Sequence, residues 1–202
     1  MNFNFPDNIT LTDEVQFHLL RHFSSVDNDF YKTFHFKSGI KVSHIKQQLE
    51  LSGSKFFPHF ASNPNELLKK IRKMIKEEKF KYRHLKNKFE ITITFSKKNY
   101  PQGIGTDNII AYSKLTSAEK AKVVIKKREN TDVMLLKKSL VQPTWSVQVI
   151  LLKDDHEINI ISVFPGKLCP PLPNPETQVK KEFNANRRFW EKHVFIVIHE
   201  TG

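Results

Sequence analysis

The sequence predicts a segregated α+β fold: N-terminal helices packed on a mainly antiparallel β-sheet, with a late helix before a final buried strand. Three observations predict it. Apolar residues in the first half recur mostly at helical spacing. In the second half they alternate, or form short β-rich runs between turn residues. Near the end, one helical stripe precedes the unbroken apolar run Val194 to Ile198.

The elements follow in order. Thr10 and Asp13 have capping-box spacing, and Val15, Leu19, Leu20 and Phe23 then share a helical face. Phe30 to Phe36 alternates and predicts a short strand. Val42 to Leu49 predicts a helix that ends before a turn at Gly53. Asn63 and Pro64 have the chemistry of an N-cap and a first helical position, and Leu67, Leu68, Ile71 and Ile75 supply the buried face.

Phe89 to Phe95 is a β-rich, alternating run. A loop follows, punctuated by Pro101, Gly103 and Gly105. Lys122 to Lys127 and Val133 to Lys137 predict strands. Trp145 to Leu152 and Ile158 to Phe164 flank Asp154 and Asp155 as a hairpin that stops at Pro165–Gly166. Four prolines between Lys167 and Pro175 require an irregular connection. Asn174 and Pro175 then predict a helix start, with Val179, Phe183 and Trp190 on one stripe. No repeat or linker breaks the chain, so residues 1–202 are read as one domain.

The charge is the strongest functional signal. Net charge is +12, and 17 phenylalanines give an aromatic-rich interior. Such an excess favours a polyanionic partner. From Lys69 to Lys88, ten Lys and Arg face only Glu77 and Glu78, a local net of +8. Lys69, Lys70, Arg72, Lys73, Lys76, Lys79, Lys81 and Arg83 are therefore the candidate nucleic-acid contacts. Phe80, Tyr82 and Phe89 interleave with them, a combination suited to single-stranded RNA, although core packing is the simpler role for Phe80 and Phe89. A smaller basic group, Lys180, Lys181, Arg187, Arg188 and Lys192, marks the late helix.

Several classes are disfavoured. The chain has no P-loop, zincin, paired-cysteine or serine-hydrolase signature, and Gly103-Ile104-Gly105 alone is not a dinucleotide fingerprint. One cysteine, Cys169, forbids an internal disulfide. No apolar run is long enough for a membrane span, and Met1 to Asp13 lacks the pattern of a signal peptide. The expected compartment is the cytoplasm.

Nine histidines remain as acid/base candidates. His18 and His22 stand four apart, a metal-ligand spacing without an evident third ligand. On the expected strand His35 and Lys37 share a face. His44 follows beside Ser43. His193 lies where the Arg-rich helix meets the last strand. Two imidazoles and a cation suffice to cleave RNA without metal or cofactor. One takes the 2′-hydroxyl proton, one protonates the leaving oxygen, and the cation stabilises the phosphorane-like charge. His35, His44 and His193, with Lys37 and Arg187 or Arg188, are the candidates for these roles; each histidine has the alternative of a surface or packed ring. Thr144 and Trp145, after Pro143, offer a hydroxyl and an aromatic at a strand start.

The segments ISVFPGK (Ile161 to Lys167) and FWEKHVFI (Phe189 to Ile196), with the order of elements, resemble the barnase–EndoU–RelE-like toxin ribonucleases. The resemblance implies a toxin-like hydrolase, a metal-independent endoribonuclease with RNA as substrate and an inhibitor or immunity protein as partner. It transfers a reaction class and no residue map. A non-catalytic, basic nucleic-acid-binding or regulatory protein is the alternative, and a protein-interaction module with an acidic partner the third.

Overall fold

The computed structural model describes residues 11–50, 53–77, 79–85, 87–128, 131–137, 141–153 and 158–197. They form an α+β fold of helices with antiparallel and mixed sheets. Read above as one domain, the residues divide into two compact units, Met1–Thr106 with Pro143–Gly166, and Asp107–Gln142 with Lys167–Gly202.

The first unit begins with helix α1 (Asp13–Leu19). Its cap is Thr12, whose side chain accepts from the Val15 amide; Thr10 lies outside the described residues. Helix α2 (Asn28–Ser38) corrects the predicted strand. Asp27 caps it by accepting from the Phe30 amide, and Gly39 stops it in the left-handed region at φ 70°. Phe30 and Phe34, one helical turn apart, stack at 5.3 Å and are buried, whereas Phe36 is 92% exposed. The apparent alternation was two helical neighbours plus an outward ring.

Helices α3 (Val42–Glu50) and α4 (Pro64–Lys76) stand where the sequence places them. Asn63 caps α4, and Leu67, Leu68, Ile71 and Ile75 are buried. Strands β1 (Phe80–Leu85) and β2 (Lys88–Thr94) form a hairpin. Short strands β3 (Gly105–Asp107), β4 (Ile109–Ala111), helix α5 (Ser117–Lys120), β5 (Val124–Arg128), β6 (Thr131–Lys137) and β7 (Gln142–Thr144) follow, with β3 paired to β7. Strands β8 (Ser146–Lys153) and β9 (Ile158–Pro165) make the expected hairpin; its turn at Asp154–Asp155 lies outside the described residues.

The first sheet has order β1-β2-β8-β9, all antiparallel. Phe89, Ile91 and Ile93 of β2, Val147, Val149 and Leu151 of β8, and Ile160 and Val163 of β9 share one core cluster with the apolar residues of the helices. Lys55 ties the layer together: its ammonium donates to the carbonyls of Arg21 (2.7 Å) and Leu49 (2.8 Å). The Gly103–Gly105 pair is a packing device. A Cβ on Gly105 would strike the Lys55 carbonyl, and one on Gly103 would come within 2.9 Å of the Thr144 carbonyl.

The second unit is built on the mixed sheet β4-β10-β6-β5, in which β10 (His193–Val197) is a central strand, antiparallel to β4 and parallel to β6. Its apolar run serves both faces. Val194 and Ile196 join Ile110, Leu115 and Leu136, while Phe195 and Val197 pack on the other face with Ile109, Val133, Leu135 and Trp190. Helix α6 (Lys180–Trp190) starts later than Asn174–Pro175 predict. Asn174 instead orders a turn, its side chain accepting from the Glu176 amide. Val179 becomes the N-cap and is exposed, so only Phe183 and Trp190 remain of the expected stripe.

Candidate nucleic-acid interface and acid/base residues

The basic block from Lys69 to Lys88 spans a helix and a hairpin. Burying Leu67, Leu68, Ile71 and Ile75 turns Lys69, Lys73 and Lys76 of α4 outward. Lys70 and Arg72 are half-buried at the edges of that face. Lys70 pairs with Glu66 (3.4 Å) and lies 5.4 Å from the Phe60 ring centre.

Carboxylates temper the charge. Lys79 pairs with Glu77 at 2.5 Å. Glu90, buried in β2, receives both Arg83 and Lys88, and its hydrogen bonds and ion pairs with them outweigh desolvation to hold its carboxyl below the usual range. Glu90 is the residue sequence reasoning missed here: it sits opposite Arg83 only through strand register.

Strand β1 is the edge of its sheet. Alternation puts Lys81 and Arg83 on one face and Phe80, Tyr82 and His84 on the other. Phe80 is half-buried and Phe89 buried, as the core reading expects. Tyr82 is 47% exposed, its ring 6.3 Å from Phe80, and exposed His84 stacks on Phe89 at 4.4 Å. The rings therefore share the face of Ile93, Ile91 and Phe89, and the cations lie on the opposite face of the strand.

The charge is also wider than one block. The first unit carries 19 basic against 13 acidic residues, and the smaller second unit 14 against 8, so each holds +6.

The candidates fall in both units: His35, Lys37 and His44 in the first, Arg187 and His193 in the second. Because α2 is a helix, His35 and Lys37, two residues apart, lie on different sides of it. The His35 Nδ1–H donates to the Ile40 carbonyl (2.6 Å), and the Lys37 ammonium pairs with Asp13 (2.9 Å). His44 is exposed on α3. His22 donates from Nδ1 to the Ser54 carbonyl (2.9 Å) beside the Phe164 ring, and burial lowers its pKa to about 3. Among the described residues, no three His, Cys, Asp or Glu gather as a metal site around His18 and His22 or elsewhere. Trp145 donates from Nε1 to the Tyr100 carbonyl (2.6 Å) and carries Lys97 over its ring; Thr144 is buried and accepts from the Ser146 amide.

In the second unit His193 stacks on Phe189 at 3.9 Å and donates from Nδ1 to that residue's carbonyl (2.7 Å). This fixes the tautomer and leaves Nε2 as the basic nitrogen. Burial raises the pKa of Asp107, whose carboxylate accepts from the Ile109 amide (3.1 Å), against the opposing influence of nearby Lys167 and His193. The sequence carried no signal for Asp107. Burial, with Asp107 adding to it, pushes the Cys169 thiol up to about 12, which removes the thiolate a nucleophile needs. Arg187 turns to Glu191 (2.7 Å) and to a 350 Å³ cavity lined with Thr131, Asp132, Phe183 and Trp190. No helix among the described residues is long and apolar enough to cross a membrane.

No protein-family model, curated protein or solved structure matches this chain.

Proposed function

We infer that the chain binds single-stranded RNA through α4 and the β1 edge. The observation that carries this is the outward lysine face of α4 together with the β1 edge, where exposed Lys81 and Arg83 stand on one face and the exposed rings of Tyr82 and His84 on the other. Stacking is sequence-tolerant because every base has a π-face, and lysines track the phosphates. The test is titration of a fluorescein-labelled single-stranded RNA at several salt concentrations. Reversing Lys69, Lys73, Lys76 and Lys81 to Glu should flatten the dependence of affinity on salt. Tyr82→Ala should weaken binding by about 1–3 kcal/mol. An unchanged salt slope with unchanged affinity would remove this surface from the contact.

The geometry of His193 favours a second reading, in which the protein also cleaves RNA as a metal-independent endoribonuclease. With Nδ1 engaged, Nε2 exchanges a proton with the 2′-hydroxyl or the leaving oxygen, and Lys167, which like His193 acts on Asp107, supplies the cation. His35 and Lys37 drop out as a pair on α2, and Arg187 is held by Glu191. RNA incubated with the protein and EDTA should yield 2′,3′-cyclic phosphate ends. His193→Ala should abolish them without altering RNA affinity; intact RNA at high protein concentration would leave binding as the whole function.

A further inference from the structure

The second unit ends its sheet on an open, apolar strand. In the order β4-β10-β6-β5, strand β5 has a neighbour on one side only among the described residues. Val124 is 53% and Ile125 65% exposed. The register with β6 fixes their faces: Val124 and Lys126 stand beside Leu135 and Val133, while Ile125 and Lys127 stand beside Met134 and Asp132. Each face of the edge therefore offers one apolar side chain followed by one lysine. Lys120 and Lys122 precede the strand.

An exposed edge with apolar side chains on both faces is a template for strand addition, because its outward N–H and C=O groups can pair with an incoming backbone. The lysines decide what may add. Strand β5 holds no acidic residue, so in any register with a second copy of itself each lysine meets a cation or an apolar side chain. Lysines on an edge disfavour self-pairing for this reason. Two carboxylates opposite Lys126 and Lys127 satisfy them, and like charges placed there would repel.

The geometry points to β5 as the docking edge for an extended acidic segment of a partner protein, added antiparallel as a fifth strand. The complementary sequence reads two acidic residues and then two apolar ones. This surface is independent of the RNA-binding proposal, which rests on the first unit.

The probe is a fluorescein-labelled, end-blocked synthetic octapeptide, Ser-Thr-Glu-Glu-Ile-Val-Thr-Ser, titrated with the full chain. Saturable binding is expected. Lys126→Glu with Lys127→Glu should weaken it at least tenfold, and a peptide with Lys-Lys in place of Glu-Glu should bind that variant and not the parent protein. Two further peptides, N-methylated at alternate residues, probe the backbone of the unaltered protein. A strand offers its N–H groups to one neighbour at every second residue, so one peptide should lose binding and the other keep it. Absence of saturable binding would overturn the proposal, as would equal effects of the two N-methylations or displacement of the peptide by single-stranded RNA. Sedimentation equilibrium covers the remaining occupant: a dimer lost in Ile125→Glu would assign the edge to a second copy and overturn the acidic partner.

Discussion

The two units solve the same problem differently. The first lays α1 to α4 against an antiparallel sheet and gathers its buried apolar residues into one cluster, from Leu19 and Phe30 through Ile71 to Val163. Among its described residues the second has only α5 and α6 as α-helices. Its mixed sheet divides the buried residues between two faces, in clusters centred on Leu136 and on Trp190. A core that is one-sided and continuous places many ring contacts around a single residue. A core split by a sheet leaves each cluster small.

Removing a large side chain from each core is the severest way to break that comparison. Phe60 is fully buried between the rings of Phe56, Phe95 and Tyr100. Phe60→Ala should cost about 3–5 kcal/mol by urea denaturation. Leu136→Ala, in the smaller cluster, should fall at the low end of about 2–5 kcal/mol. Hydrogen exchange reads where the loss goes. Phe60→Ala should speed exchange in β2 and β8 more than in β6 and β10; equal acceleration would make the two cores one cooperative body.

The next effect is pH-dependent and belongs to the first unit. His22 has a folded pKa of about 3, chiefly from burial, against 6.5 when exposed. Between these values the unfolded chain binds a proton that the folded chain refuses, so stability falls as pH drops below 6.5. From pH 6.5 to 5 the loss is at most about 2 kcal/mol. In His22→Asn the side-chain amide can still donate to Ser54 but does not titrate, so this slope should disappear. A variant that keeps the full slope would place the titrating group elsewhere.

What the sequence made legible follows the same division between local and distant causes. The α4 cap, the β-rich run in β2 and the apolar run in β10 were readable because neighbours within a few residues set them. The identity of α2 was also written locally, in Asp27 and Gly39, but the rings at Phe34 and Phe36 mimicked strand alternation and outweighed the caps. That error carried into the candidate site by pairing His35 with Lys37. The residues that surround His193 and Arg83 were not legible at all. Asp107 and Glu90 act through strand register and burial, which no spacing in the chain encodes.

Helix caps give the smallest and most local comparison. In the first unit two caps are joined: Asp27 accepts from the Phe30 amide (2.7 Å) and from the Asn63 side chain (2.7 Å), while Asn63 accepts from the Glu66 amide (3.0 Å). In the second unit Thr116 and Glu119 form a capping box confined to α5. Thr116→Ala should cost about 1 kcal/mol, within the range for a single cap. Asp27→Ala and Asn63→Ala should each cost a similar amount but fail to add, because either change already breaks the bond between the caps. A double-mutant cycle should give a coupling of about 0.5–1 kcal/mol. Strict additivity would mean that α2 and α4 are capped independently, and that even in the first unit the helix ends are fixed by local sequence alone.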